Sequence, residues 1–129
     1  MREGVRYLRD IQADIFFVTL NKTEKEFSPT TMYQDYAINE HLFHWQSQST
    51  TSANSPTGKR YFQHEALGHT ILLFGREGKK ANGLATPFYF LGPAKYVNHT
   101  GSMPMSITWR LEHPLPAKLI RQMGRLAVG

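Results

Sequence analysis

The most distinctive chemistry lies in LFHWQSQSTTSANSPTG, residues 42–58, where two glutamines alternate with serines behind a tryptophan and nothing is charged. A glutamine amide carries paired donors and acceptors and can bind an adenine edge at two points. Serine and threonine hydroxyls bind bases or phosphates. On a strand, His44, Gln46 and Gln48 share one face, and Phe43, Trp45 and Ser47 the other. His44, Gln46 and Gln48 are therefore expected to read base edges, with Ser49 and Tyr61 beside them. Trp45 has two readings: a core residue of an ordinary β-face, or a ring that stacks on an extruded base.

Cations follow this loop. Lys59 and Arg60 come directly after it, and Arg76, Lys79, Lys80 and Lys95 lie further on. All six are expected to hold phosphates. The charge is unevenly spread. Residues 1–58 hold five Lys/Arg against seven Asp/Glu, a balance of −2, and residues 59–129 hold ten against three, +7. The whole chain is +5, with a pI near 9.6. A basic second half attracts polyanions, nucleic acid first.

Other chemistry is poorly served. With no cysteine, a disulfide scaffold and a thiolate nucleophile are excluded. There is no G-x-S-x-G nucleophile elbow. The six histidines form no H-E-x-x-H or H-x-H pattern, so neither a metal nor another cofactor is expected. His64-Glu65 is an isolated acid–base pair. GREGKKANG lacks the spacing of a P-loop, and its Asn82-Gly83 step is a hairpin signal. No apolar run is long enough to span a bilayer, and the charged start MREGVRYLRDIQAD is no signal peptide. A cytoplasmic protein without a membrane partner is expected.

A single domain over residues 1–129 must position these groups. Val5, Leu8, Ile11 and Gln12 sit at helical spacing and predict a short opening helix. ADIFFVTLNK reads as a buried strand, and MYQDYAI and LFHWQSQ as the next two. Thr57 is expected to cap a short helix, GKRYFQHEAL, ending at Gly68. HTILLFGRE and TPFYFLGPAKYV read as strands, with a bulge or kink at Gly92-Pro93 and a loop at NHTGSMP. MSITWRLEH alternates: Met105, Ile107, Trp109 and Leu111 on one side, Ser106, Thr108 and Arg110 on the other. PLPAKLIRQMGR predicts a terminal helix. Regular strand–helix alternation is missing. The expected fold is mainly β: a strongly bent antiparallel sheet or small β-barrel with two or three short peripheral helices.

Three long blocks carry a family resemblance: FSPTTMYQDYAINEHLFHWQSQSTTSANSPTGKRY, ILLFGRE and FYFLGPAKYVNHTGSMPMSITWRLEHPLP. They resemble a bacterial domain of unknown function at the C-terminal end of certain superfamily-two DEAD/DEAH-type helicases. Many of those also carry a phospholipase-D-like nuclease module. The resemblance runs from about Arg2 to Gly129. The opening MREGVRY fits a domain of that kind, excised or free-standing. The resemblance offers no catalytic residues to carry over. It implies a DNA-recognition module, not itself an enzyme, in a restriction or phage-defence system, reading double-stranded and modified or sequence-specific DNA. The helicase core of the parent chain is its second implied partner. The alternatives are a docking module of the helicase and, after that, a nuclease. The central expectation is that cations of the later half gather around the amide-bearing strand in one cleft.

Overall fold

Alternation along residues 106–111 sets the pattern of the structure, a computed structural model that describes residues 4–19, 35–76, 80–81, 84–85 and 87–116. Ile107, Trp109 and Leu111 are buried, whereas Ser106, Thr108 and Arg110 face outward. The same two-residue period runs along residues 42–46, so this part of the sheet has one apolar face and one polar face.

In chain order the strands are β1 (Gly4–Leu8), β2 (Ala13–Thr19), β3 (Tyr36–Ala37), β4 (Leu42–Gln46), β5 (Thr70–Arg76), β6 (Lys80–Ala81), β7 (Leu84–Ala85), β8 (Tyr89–Thr100) and β9 (Ser106–Leu111). Among the described residues there is one α-helix, α1 (Pro56–Phe62), which precedes β5. Seven strands form one sheet in the order β1-β2-β5-β8-β9-β4-β3, and β6 pairs with β7 in a separate hairpin. All its neighbours are antiparallel except β2 and β5, which run parallel. The chain between those two strands contains β3, β4 and α1. The sheet is thus mixed and open, not a closed barrel.

A ring contact shows how strongly the sheet curls. Phe16 on β2 and Trp45 on β4 stack with centroids 4.2 Å apart and 15° between planes. Their strands are four steps apart in the sheet. A flat sheet would separate them by about 19 Å. The sheet therefore wraps its apolar face around Phe16, Trp45, Trp109, Ile107 and Leu73. Tyr61 of α1 enters this hollow and meets Phe16 and Trp45 edge-on, at 5.6 and 5.4 Å. Two bulges assist the bend. Leu73 and Phe74 of β5 face Gly92 and Phe90, leaving Leu91 over, and Trp109 and Thr108 face Tyr96 and Asn98, leaving Val97 over. The bulge beside Gly92 agrees with the Gly92-Pro93 signal, and Gly92 sits at φ +108°, a region that favours glycine.

Several local expectations change. The opening helix is a strand followed by a 3-10 turn, Arg9–Ile11. Gln12, in the left-handed region, lets β1 fold back on β2. The helical spacing was accidental: Val5 packs against the core, but Ile11 is 62% exposed. The helix cap is Ser55 rather than Thr57, with Pro56 in the first turn, and the Gly58 N–H donates to Ser55 Oγ at 3.0 Å. Asn98, His99 and Thr100 extend β8 instead of forming a loop. β6 and β7 pair antiparallel, and the Asn82-Gly83 step expected to turn between them lies outside the described residues. Residues 117–129, most of the expected terminal helix, lie outside the described residues.

Gly58 makes a sharp test of how α1 seats. A Cβ there would lie 2.2 Å from the Ser52 carbonyl oxygen and 3.1 Å from Met105 Sδ. Gly58→Ala is expected to destabilise the fold by about 1–3 kcal/mol, because a backbone oxygen yields only if the helix moves. The gain in helix propensity, about 1 kcal/mol at most, does not offset this. A chemical-denaturation midpoint at or above wild type would show that α1 is not seated this tightly.

Candidate functional site

The polar face of β4, β9 and β8 brings together residues far apart in sequence. The β4–β9 and β8–β9 registers set three rows across it: Leu42, Arg110 and Lys95; His44, Thr108 and Asn98; Gln46, Ser106 and Thr100. Phe43 and Trp45 point into the core, which turns His44 and Gln46 outward. The Val97 bulge keeps Asn98 in step with Thr108. Gln46 Nε2 donates to Ser106 Oγ at 3.1 Å, and the Gln46 backbone N–H donates to Asp35 Oδ1 at 3.1 Å. The amide nitrogen is therefore tied across to β9 within its own row.

Lys95 and Arg110 stand directly opposite each other on this face, both exposed. They line a hollow of about 360 Å³ with His41, Leu111 and Glu112. His41 is anchored by backbone: the Leu111 N–H donates to its carbonyl at 2.7 Å, and its ring Nδ1 lies 3.4 Å from the Leu111 oxygen.

The helix side uses its polar groups differently. Asp14 is fully buried, and Arg60 grips it with Nε on Oδ2 at 2.6 Å and Nη2 on Oδ1 at 2.9 Å. His69 Nε2 lies 3.0 Å from the same Oδ2. The Tyr7 ring lies under the guanidinium, 3.8 Å from its carbon. Hydrogen bonding to Asp14 raises the Arg60 pKa above its ordinary value, against the effect of burial. Arg60 is thus committed to a carboxylate, not free for a phosphate.

Tyr61 is fully buried, and its hydroxyl donates to Gln48 Oε1 at 3.2 Å. Burial, and then the Asp14 charge, push this phenol up to about 12. Thr51 Oγ1 donates to the same amide oxygen at 3.2 Å. The oxygen of Gln48 is therefore occupied in closing the core's rim. Trp45 is 4% exposed, so its ring belongs to the core and has no face for an extruded base. Arg76 is 6% exposed; its Nε donates to Thr19 Oγ1 at 3.0 Å and its guanidinium lies 4.4 Å from the Phe88 ring centre.

The expected single cleft is therefore corrected. His44, Gln46 and Lys95 share the polar face. Ser49 is exposed in the turn after β4, and Lys59 is exposed on α1. Trp45, Arg60, Tyr61 and Arg76 serve packing and internal bonds. Lys80 opens β6, and Lys79 lies outside the described residues. The expectation omitted Arg110 and His41, although the β9 alternation had placed Arg110 on the outer face. It also omitted the Asp14 cluster, whose signal was one acid inside an apolar strand.

His64 is a structural residue. Its Nε2 accepts the Tyr96 backbone N–H at 3.0 Å, and its Nδ1 faces the His69 carbonyl at 3.0 Å. Accepting at one nitrogen while facing an acceptor with the other requires the neutral Nδ1–H form. Among the described residues, no three His, Asp or Glu side chains converge as a metal would require, and no helix is long and apolar enough to cross a membrane.

Fold and surface together define a small β-rich domain: one curled, mixed sheet with a helix in its hollow and polar side chains ranked outside. The chain belongs to the family described as Domain of unknown function (DUF3427), which matches residues 2–123. A search of curated proteins found no match.

Proposed function

We propose that this domain is the DNA-recognition module of a helicase–nuclease system of restriction or phage-defence type, reading a specific or modified duplex site in the cytoplasm and catalysing nothing itself. The observation that carries this reading is the outer face of β4–β9–β8. There His44, Gln46, Asn98, Ser106 and Thr108 offer hydrogen-bonding groups in register beside the Lys95–Arg110 pair. Cations position a duplex through its phosphates, and amides and hydroxyls discriminate bases. The helicase context rests on the resemblance of the long sequence blocks.

Binding of a labelled duplex across salt concentrations tests the proposal. A log–log slope of roughly −0.9 for each phosphate contacted is expected. His44→Ala with Gln46→Ala is expected to remove sequence or modification preference while weak binding persists. Gln48 is a poor choice for this test, because it bonds Tyr61 and Thr51. If plain and modified duplexes all fail to bind at low salt, the proposal is wrong.

A second reading, docking on the helicase core, is favoured by one observation. Phe17, Phe74, Phe88 and Phe90 form a chain of ring contacts at 5.1–5.4 Å on the sheet's outer side. Phe90 and its neighbour Tyr89 are each 57% exposed. Stable DNA-free co-purification with the helicase region, lost in Phe90→Ser, would support docking.

A further inference from the structure

The hollow between β8, β9 and the start of β4 contains an electrostatic conflict. Lys95 and Arg110 are directly opposite in the antiparallel ladder. Residues so placed have Cβ atoms about 4.5–5.5 Å apart, and like charges there repel. Among the described residues, the other charged or titratable groups facing the space are Glu112 and His41, with Glu40 Oε1 3.8 Å from His41 Nε2. The space, about 360 Å³, has room for about a dozen waters. A phosphate group with part of its sugar fits in such a volume. An anion lying between the two cations would turn their mutual repulsion into two charge-assisted hydrogen bonds, with the planar guanidinium able to engage two oxygens.

We infer that this hollow is a phosphate subsite, in which Lys95 and Arg110 jointly hold one phosphodiester group of the DNA backbone against the wall made by His41, and Glu112 limits its affinity. This rests on the DNA-recognition reading and adds to it a register point. The phosphate held here lies at the edge of the Leu42 row, one row from His44 and two from Gln46. It would fix which stretch of the groove those side chains meet.

The test uses the whole chain carrying Lys95→Ala with Arg110→Ala. Both residues are exposed, so an unchanged near-UV circular dichroism spectrum is expected. For a labelled duplex, the steepness of the log–log salt dependence is expected to fall by about one, equally for all sequences. Glu112→Gln is expected to tighten binding of every duplex. If wild type binds duplex and neither variant alters affinity or slope, the subsite is wrong and the wider DNA reading stands. If wild type binds no duplex, the DNA reading fails, and inorganic tripolyphosphate followed by ³¹P NMR decides the subsite. Line broadening seen with wild type and lost in the double variant would leave an anion site for free phosphates. No broadening with wild type would overturn the site altogether.

Discussion

Asp14→Ala is expected to lower the unfolding free energy by about 3–5 kcal/mol, read from chemical denaturation, and to leave much of the chain unfolded at physiological temperature. Asp14 is fully buried, yet it bonds a guanidinium and an imidazole. Removing it strands Arg60, whose side chain is only 16% exposed, and leaves His69 without its acceptor. The cost is mainly that of an uncompensated, desolvated cation. Exposed ion pairs are worth about 0–1 kcal/mol, so the size of the loss distinguishes the two situations. A loss below about 1 kcal/mol would show that water reaches the cluster and that Arg60 is available to a ligand. The pair also has an architectural role. Arg60 is on α1 and Asp14 on β2, so this bond fastens the helix to the parallel half of the sheet.

Trp45→Ala is expected to cost about 3–5 kcal/mol, the range for emptying a large aromatic site that cannot collapse. Trp45 stacks on Phe16, meets Tyr61 edge-on and lies near Trp109, so its removal opens a void between β2, β4 and α1. Its effect on duplex binding, corrected for the folded fraction, is expected to be nil. The opposite pattern, unchanged stability with lost affinity, would make Trp45 a base-stacking ring and the buried arrangement wrong. Trp45→Phe is expected to fall between, since it keeps much of the stacked area.

What was legible in the sequence was whatever a two-residue period announces. Met105 to Leu111 and Phe43 to Gln46 lie in or beside strands whose alternate residues are buried, whereas the continuously apolar run Ile71 to Phe74, read as a buried strand, buries Ile71 and Leu73 and leaves Leu72 and Phe74 half-buried. The opening segment misled because Val5, Leu8 and Ile11 satisfy a helical period by spacing alone, while the φ of Gln12 that turns β1 back leaves little local trace. The parallel pairing of β2 with β5 was illegible for another reason. It depends on where Ala13 meets Thr70, a choice made by the whole packed sheet. Site prediction met the same limit. Arg60 reads as a surface cation beside a polar loop, yet its partner lies 46 residues upstream. Local composition cannot report a distant carboxylate. His44 and Gln46 share a face by strand alternation alone, but their meeting with Lys95 and Arg110 required the register of β9 between β4 and β8.

That register has a consequence for how the chain is made. β9 is the last described strand in sequence, yet it lies between β8 and β4. Until residues 106–111 leave the ribosome, the β3–β4 ribbon has no mate in the sheet and Trp45 has no wall opposite Ile107. Non-local pairings of this kind close slowly, so the nascent domain stays incomplete through most of its own synthesis and then locks when a six-residue wedge arrives.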